Sequence, residues 1–135
     1  NLSSVTFPES LVTIGMDAFY NSGLRELRLP DSLTTIGDSA FADCHNIVEV
    51  TIPDSVTTLG QYTFLGCTAL TTVSIGKGAT TLSNPFQYAI AISQITVSPE
   101  NPYLESLENV ISPSYPFTIK SLISCIRSSS GGSGN

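Results

Sequence analysis

Apolar residues recur along this chain in one pattern, at intervals of 22 or 23 residues. Leu24, Leu27 and Leu29 stand in the order L-x-x-L-x-L, where x is most often polar. The same slots hold Leu2/Val5/Phe7, Ile47/Val50/Ile52, Leu70/Val73/Ile75 and Ile92/Ile95/Val97. The last two apolar residues of each triplet are two apart, so they lie on the same face of a strand. The pattern predicts one short strand in every repeat.

The residues after each strand predict a turn, a second extended segment and a further turn. Proline follows the first three triplets and ends the strand because it has no N–H to donate. Gly37 precedes Asp38, a favourable N-cap residue, so we expect one turn of helix over residues 39–41. The second extended segment is marked by another set of apolar pairs, at Leu11/Ile14, Leu33/Ile36, Val56/Leu59 and Ala79/Leu82.

A phenylalanine occupies the same place in each of four repeats, at Phe19, Phe41, Phe64 and Phe86. One repeat cannot bury its own apolar face, whereas repeats stacked about 4.8 Å apart join these faces into one core. The sequence therefore predicts an α/β solenoid with the phenylalanines in a column. Short parallel strands form its concave face, and short helical or 3-10 turns lie opposite.

The repeat also resembles a known family. The segment LRELRLPDSLTTIGDSAFADC, residues 24–44, is similar at nearly every position to the BspA-like leucine-rich repeat of bacterial surface antigens. The resemblance covers residues 2–97 and weakens in the fourth repeat, where Gly76, Ser83 and Ala89 replace proline, glycine and cysteine. The resemblance implies a leucine-rich repeat fold and a protein that is secreted or displayed at the cell surface. It also implies adhesion to host matrix proteins or other cells.

The ends of the array differ from its middle. Residues 1–97 are predicted to form the solenoid, with four to five coils. Residues 98–127 contain several prolines and resemble the irregular segment of the family, so we expect a C-terminal hairpin or capping segment. Residues 128–135, rich in Gly and Ser, predict a disordered tail. No cover is evident before Leu2, so the first coil is bare, capped by a preceding segment, or paired with another molecule.

Composition narrows the choice of partners. Charged residues make up 12% of the 135 residues and the net charge is −6. A chain with this charge repels phosphate, which argues against nucleic acid as a partner. No apolar run approaches the ~18 residues of a membrane helix, so we expect no membrane insertion by this segment.

The residues that could act in catalysis or bind a metal are better explained by structural roles. His45 follows Cys44 directly, and neighbouring residues do not face each other, so His45 is interpreted as a solvated loop residue. Cys44 and Cys67 occupy equivalent slots. Free buried thiols are favoured over a disulfide or a metal site, because in-register side chains do not give the torsion that a disulfide needs. We therefore expect no enzymatic activity, no metal site and no cofactor.

Two columns of polar residues leave alternatives open. Glu9, Asp31 and Asp54 stack after the strands and could hold Ca²⁺, but turn capping is favoured. Threonine columns, such as that of Thr35 and Thr58, resemble the ladders of ice-binding solenoids. The threonines here are adjacent and lack T-x-T spacing, so we expect them to stabilise the sheet instead.

The residues that point outward from the strands form an extended surface, which is the best candidate for a binding site. This predicted face is shallow and rich in hydroxyl groups, which favours a non-enzymatic module that binds a protein, for example a host or extracellular matrix protein. The alternative is a structural scaffold that spaces or oligomerises other domains, with self-association through the uncapped N-terminal edge. The residues predicted to contact a partner are Glu26, Arg28, Glu49, Thr51, Thr72, Ser74, Gln94 and Thr96.

Overall fold

Short parallel strands and turns make up the described fold. The computed structural model describes residues 3–79 and 85–101. The strands in this part of the chain form two three-stranded sheets, ordered β1-β2-β4 and β3-β5-β6. Their bounds are β1 Thr13–Ile14, β2 Thr35–Ile36, β3 Glu49–Ile52, β4 Thr58–Leu59, β5 Thr72–Ile75 and β6 Gln94–Val97.

Each of these strands pairs in parallel with a strand one repeat away. In the first sheet, Thr35 pairs with Thr13 on one side and with Thr58 on the other. In the second sheet, Val50 pairs with Val73. The offsets equal the repeat length, so each repeat is one coil of a solenoid, as predicted. We number the coils as coil 1 (residues 3–23), coil 2 (24–46), coil 3 (47–69), coil 4 (70–91) and the start of coil 5 (92–101).

The phenylalanine column predicted from the sequence lies in the core. Phe41, Phe64 and Phe86 are completely buried, and Phe19 of coil 1 is partly buried. Burying one such side chain contributes about 1.5–3 kcal/mol of transfer free energy, so the column is a main source of stability. From coil 1 to coil 4, successive ring centroids lie 5.4, 5.4 and 5.8 Å apart, with interplanar angles of 3°, 8° and 18°.

The predicted helical turns are wrong for the described residues, which contain no helix. Coils 1 to 3 instead each have a turn arc, a run of overlapping turns that follows the second apolar pair of the repeat. In coil 2 the N–H of Ala40 donates to the carbonyl of Gly37, and the third residue of that turn, Ser39, has a φ of 55°. Type II turns require a positive φ at this position, whereas a right-handed helix cannot pass through it. The turn arcs of coils 1 to 3 are residues 15–22, 37–44 and 60–67.

Hydrogen bonds between coils explain why turns replace the helix. Asp38, which we expected to cap a helix, uses its Oδ1 to accept the N–H of Gln61 in the next coil, at 2.8 Å. These bonds satisfy amides that a helix would have used internally. Every second amide of the coil 1 arc donates to a carbonyl of coil 2: Asp17 to Asp38, Phe19 to Ala40 and Asn21 to Ala42, at 3.0, 2.8 and 2.8 Å.

Asn101 fastens the start of coil 5 to coil 4. Its side chain is buried, and its Nδ2 donates to the carbonyls of Gly76 at 3.0 Å and Ala79 at 2.7 Å. One amide therefore satisfies two backbone acceptors at the end of a strand and in the following turn.

Part of the predicted architecture lies outside the described residues. Only residues 98–101 of the predicted cap are described, and the predicted tail, residues 128–135, is not described at all. Thr81, which the repeat spacing adds to the column of Thr35 and Thr58, also lies outside the described residues. Within residues 3–79 and 85–101, no helix is long and apolar enough to cross a bilayer.

Candidate binding face

Six of the eight residues predicted to bind a partner form two rows across β3, β5 and β6. We call this surface the strand face. Along each strand, outward residues alternate with buried ones such as Val50 and Val73, which fixes the direction of the polar side chains. Adjacent strands lie about 4.8 Å apart, so one row crosses three coils within about 10 Å. The first row is Glu49, Thr72 and Gln94, and the second is Thr51, Ser74 and Thr96.

Glu26 and Arg28 continue the two rows into coil 2 by repeat spacing, although no strand forms at residues 24–29. Both side chains are exposed. Within residues 3–79 and 85–101, the Arg28 guanidinium forms no ion pair with a carboxylate. The coil 2 end of the strand face therefore carries the carboxylates of Glu26 and Glu49 in the first row and the Arg28 guanidinium in the second. The coil 5 end presents hydroxyl and amide groups.

An open cavity of about 350 Å³ lies where the strand face meets the turns that follow the strands. Three of its lining side chains form the second row of the strand face, and the others were not predicted to take part in binding. The D-S dipeptide after Pro30 and Pro53 was the available signal, but for its aspartate we weighed only turn capping, which we favoured, and a Ca²⁺ site. The polar lining, which suits hydrogen bonding, consists of Asp31, Thr51, Asp54, Ser74, Thr96 and Ser98.

The Asp54 carboxylate binds the backbone of the next coil rather than the turn of its own coil that we expected it to cap. Its Oδ1 accepts the N–H of Lys77 in the next coil at 2.8 Å. The Lys77 ammonium lies 3.6 Å from a carboxylate oxygen of Glu100, which places a cation beside this part of the column. In the part of the chain that the structure describes, no group of three His, Cys, Asp or Glu side chains could hold a metal ion.

Cys44 and Cys67 are free and buried, as predicted. Each thiol donates to the carbonyl of a phenylalanine in the preceding coil, Cys44 to Phe19 at 3.2 Å and Cys67 to Phe41 at 3.1 Å. Burial raises the pKa of the Cys67 thiol to about 12, so this sulfur stays protonated near neutral pH. The two cysteines therefore belong to the core.

The single histidine lies on the surface, as predicted. His45 is exposed, and its Nε2 lies 3.9 Å from the Oδ1 of Asp43. A surface contact of this length contributes little to stability, and it places no base beside a nucleophile.

Threonines lie in and beside the strands of the first sheet, and one of them bonds to the backbone of the preceding coil. Thr13, Thr35 and Thr58 lie side by side in the pairing register. The hydroxyl of Thr34 donates to the carbonyl of Val12 in the preceding coil, at 3.3 Å. This contact joins neighbouring coils, whereas stabilisation of the sheet by the threonine columns stays a prediction.

Parallel coils of 22 or 23 residues around buried aliphatic and aromatic columns define a leucine-rich solenoid. The family model of the BspA type leucine rich repeat region matches residues 1–115 in six copies. The chain therefore belongs to this family, which confirms the resemblance. Repeats of this type are typical of bacterial surface or secreted proteins. No curated protein and no solved structure matches the chain.

Proposed function

We propose that the strand face binds a protein ligand and that the protein is a non-enzymatic adhesion module, exposed at the cell surface or secreted. The observation that carries this proposal is the pair of polar rows held in register by β3, β5 and β6. Solenoids use extended faces of this kind for protein recognition. Membership of the BspA type family supports the surface location and the adhesive role.

The two ends of the strand face supply different contacts. Glu26, Arg28 and Glu49 are exposed charges, which steer and orient a partner more than they add affinity. Thr51 and Ser74 border the cavity and offer hydroxyl groups to the backbone or polar side chains of a ligand. Each such hydrogen bond contributes about 0.5–1.5 kcal/mol, so a stable complex needs contacts along several coils. An extended segment of an extracellular matrix protein fits this requirement.

The test is binding of the purified chain to immobilised fibronectin, laminin and collagen, measured by surface plasmon resonance. The variant Glu26→Gln/Arg28→Gln/Glu49→Gln removes the charges of the strand face and keeps the side-chain sizes. We expect at least one of these proteins to bind the wild type, and the triple variant to bind it about tenfold or more weakly, because three partner-facing charges are lost.

A matched control separates the strand face from overall charge. Glu9→Gln/Asp17→Asn/Arg25→Gln also removes two carboxylates and one guanidinium, all exposed and all outside the strand face. We expect this control to bind like the wild type. The assignment of the site is contradicted if the strand-face variant binds as tightly as the wild type, or if the affinity falls equally in both variants. The absence of binding to all three matrix proteins contradicts the matrix ligand.

A second candidate is an assembly scaffold, which the apolar character of coil 1 favours. Three of the six large apolar side chains that are exposed in the described residues lie in coil 1: Val12, Met16 and Tyr20. Its test is the dependence of molar mass on protein concentration, because a strict monomer at high concentration contradicts assembly.

A further inference from the structure

Two aspartates of the solenoid bind a backbone amide of the next coil in the same way. The Oδ1 of Asp54 accepts the N–H of Lys77 at 2.8 Å, and a Cβ built at Gly76 would lie 2.7 Å from that oxygen. The Oδ1 of Asp38 accepts the N–H of Gln61 past a glycine at the same two distances. In both places, the carboxylate reaches the next coil because the residue before the donor has no side chain.

Asp31 occupies the same slot as Asp54, one coil earlier, but it lacks this contact. The residue opposite Asp31 in coil 3 is Pro53, whereas the residue opposite Asp54 is Gly76. Pro53 has a Cβ and a ring where Gly76 has only hydrogen atoms, so the Asp31 carboxylate cannot close over it. In the part of the chain that the structure describes, no group donates a hydrogen bond to this carboxylate and no cation pairs with it.

The Asp31 carboxylate borders the open cavity of about 350 Å³ beside the strand face. Thr51 and Ser74, which also line this cavity, pair in the strand register, so their hydroxyl groups are spaced by about 4.8 Å. A hydroxyl accepts hydrogen bonds as well as donating them. The cavity therefore combines one carboxylate that is free to accept with a row of further acceptors.

The charge of the cavity favours a positively charged occupant. Its described lining includes the carboxylates of Asp31 and Asp54 but no lysine or arginine. The Lys77 ammonium belongs to the same coil as Ser74 but lies 3.6 Å from a carboxylate oxygen of Glu100. Carboxylates that share a recess without a cation create a negative potential there, which attracts a positive group from a partner.

Among positive groups, a guanidinium matches these acceptors best. It donates two parallel N–H bonds to one carboxylate and keeps further N–H groups for neighbouring acceptors, whereas an ammonium is a point charge without this fork. Both oxygens of Asp31 are available for the fork, and the hydroxyls of Thr51 and Ser74 lie on the same cavity wall. Because these hydroxyls belong to the second row, a ligand on the strand face passes directly beside the cavity.

We infer that this cavity receives an arginine side chain of the protein ligand, with the guanidinium on the Asp31 carboxylate. The inference rests on the proposed function, because it assigns the chemistry of the ligand at one place along the strand face. The charged end of the strand face orients the partner, and the cavity selects ligand segments that carry an arginine at the matching position.

The experiment is a titration of the isotopically labelled chain with short peptides, followed by the NMR shifts of its backbone amides. The probe is acetyl-threonyl-arginyl-threonine amide, added up to about 10 mM because one side chain supports only weak binding. Two further peptides carry lysine or citrulline in place of arginine, and citrulline keeps the shape of arginine without its charge. The protein variants are Asp31→Asn and, as matched control, Glu9→Gln, which loses a carboxylate in the same repeat slot of coil 1.

We expect the arginine peptide to cause saturable shifts at residues 31, 51 and 74. The citrulline peptide, and the arginine peptide with Asp31→Asn, should bind about three- to tenfold more weakly, the range for an exposed but forked ion pair. The lysine peptide should bind between the two, and Glu9→Gln should match the wild type. The spectra also show that each variant is folded.

The inference is overturned if the arginine peptide causes no saturable shift at the cavity, or if citrulline or lysine binds as tightly as arginine. It also fails if Asp31→Asn has no effect or only the effect of Glu9→Gln. The peptides need no matrix protein, so the two proposals can fail separately. Peptide binding without matrix binding contradicts the proposed function alone. Matrix binding that falls in the strand-face variant but not in Asp31→Asn contradicts the arginine site alone.

Discussion

The ring of Phe41 lies parallel to that of Phe64, with centroids 5.4 Å apart and an interplanar angle of 8°, although 23 residues separate them in the chain. The separation of the rings is close to the ~4.8 Å between paired strands, so the same geometry sets ring stacking and backbone pairing. Each coil therefore buries its core residues against its neighbours, and a substitution in one coil weakens the contacts with the coils on both sides.

The first prediction concerns this column. Phe41→Ala should lower the free energy of unfolding by about 3–5 kcal/mol, because it leaves a cavity between two rings. Phe19→Ala is the comparison, since Phe19 belongs to the same column but is only partly buried. Urea unfolding followed by circular dichroism should show a clearly smaller loss for Phe19→Ala. Equal losses would contradict the burial gradient between coils 1 and 2.

The second prediction compares two glycines in the same repeat slot. A Cβ at Gly60 would lie 2.5 Å from the backbone nitrogen of Asp38, whereas a Cβ at Gly15 would meet no atom within 4 Å. Gly60→Ala should destabilise the protein by about 1–3 kcal/mol, because the coils must move apart. Gly15→Ala should be neutral or stabilise by up to about 1 kcal/mol through the unfolded state. Thermal unfolding of the two variants measures the difference.

The third prediction concerns the buried amide of Asn101. Asn101→Asp replaces a donor by an acceptor opposite the carbonyls of Gly76 and Ala79, so it should cost about 1–3 kcal/mol or more. Asn46→Asp makes the same chemical change at an exposed position and should cost little. Hydrogen exchange around residues 76–79 should accelerate only in Asn101→Asp. An equal effect of both variants would assign the loss to charge alone.

The fourth prediction is a pH dependence that originates at Cys67. Burial raises the pKa of this thiol from 9.0 to about 12 in the folded protein. Between these values the unfolded chain releases the thiol proton and the folded protein keeps it. The stabilisation is therefore complete below about pH 9 and is lost as the pH rises to about 12.

The measurement is the free energy of unfolding of the wild type and of Cys67→Ala across this alkaline range. As the pH rises, the free energy of unfolding of the wild type should fall more steeply than that of Cys67→Ala. The difference in slope should be at most about 1.4 kcal/mol per pH unit, the value for one proton. Subtraction of the two curves removes the contributions of tyrosine and lysine residues. Parallel curves would mean that the thiol is equally acidic in both states.

The repeated spacing was sufficient to predict the coils, their register and the phenylalanine column. Val50 pairs with Val73 in the structure because only that register places every apolar triplet on one side of the sheet. The eight binding residues were chosen by the same alternation, and six of them lie on strands that pair in register. Their role in binding stays a prediction.

Predictions from short sequence motifs were wrong where hydrogen bonds between coils determine the backbone conformation. Asp38 after Gly37 is a good helix start in isolation, yet its carboxylate binds Gln61 in the next coil and its arc has no helix. The cavity beside Asp31 and Asp54 likewise depends on four successive coils, coils 2 to 5, that each contribute lining residues. Neither feature has a counterpart in a single repeat.

The sequence by itself determined the length of a coil, the side chains of the core and the alternation of the strand face, because these follow from periodicity along one chain. The tertiary structure decided the conformation of the turn arcs, the hydrogen bonds between them and the partners of Asn101. The reason is physical: amides and carbonyls choose among partners that become available only when neighbouring coils are in contact.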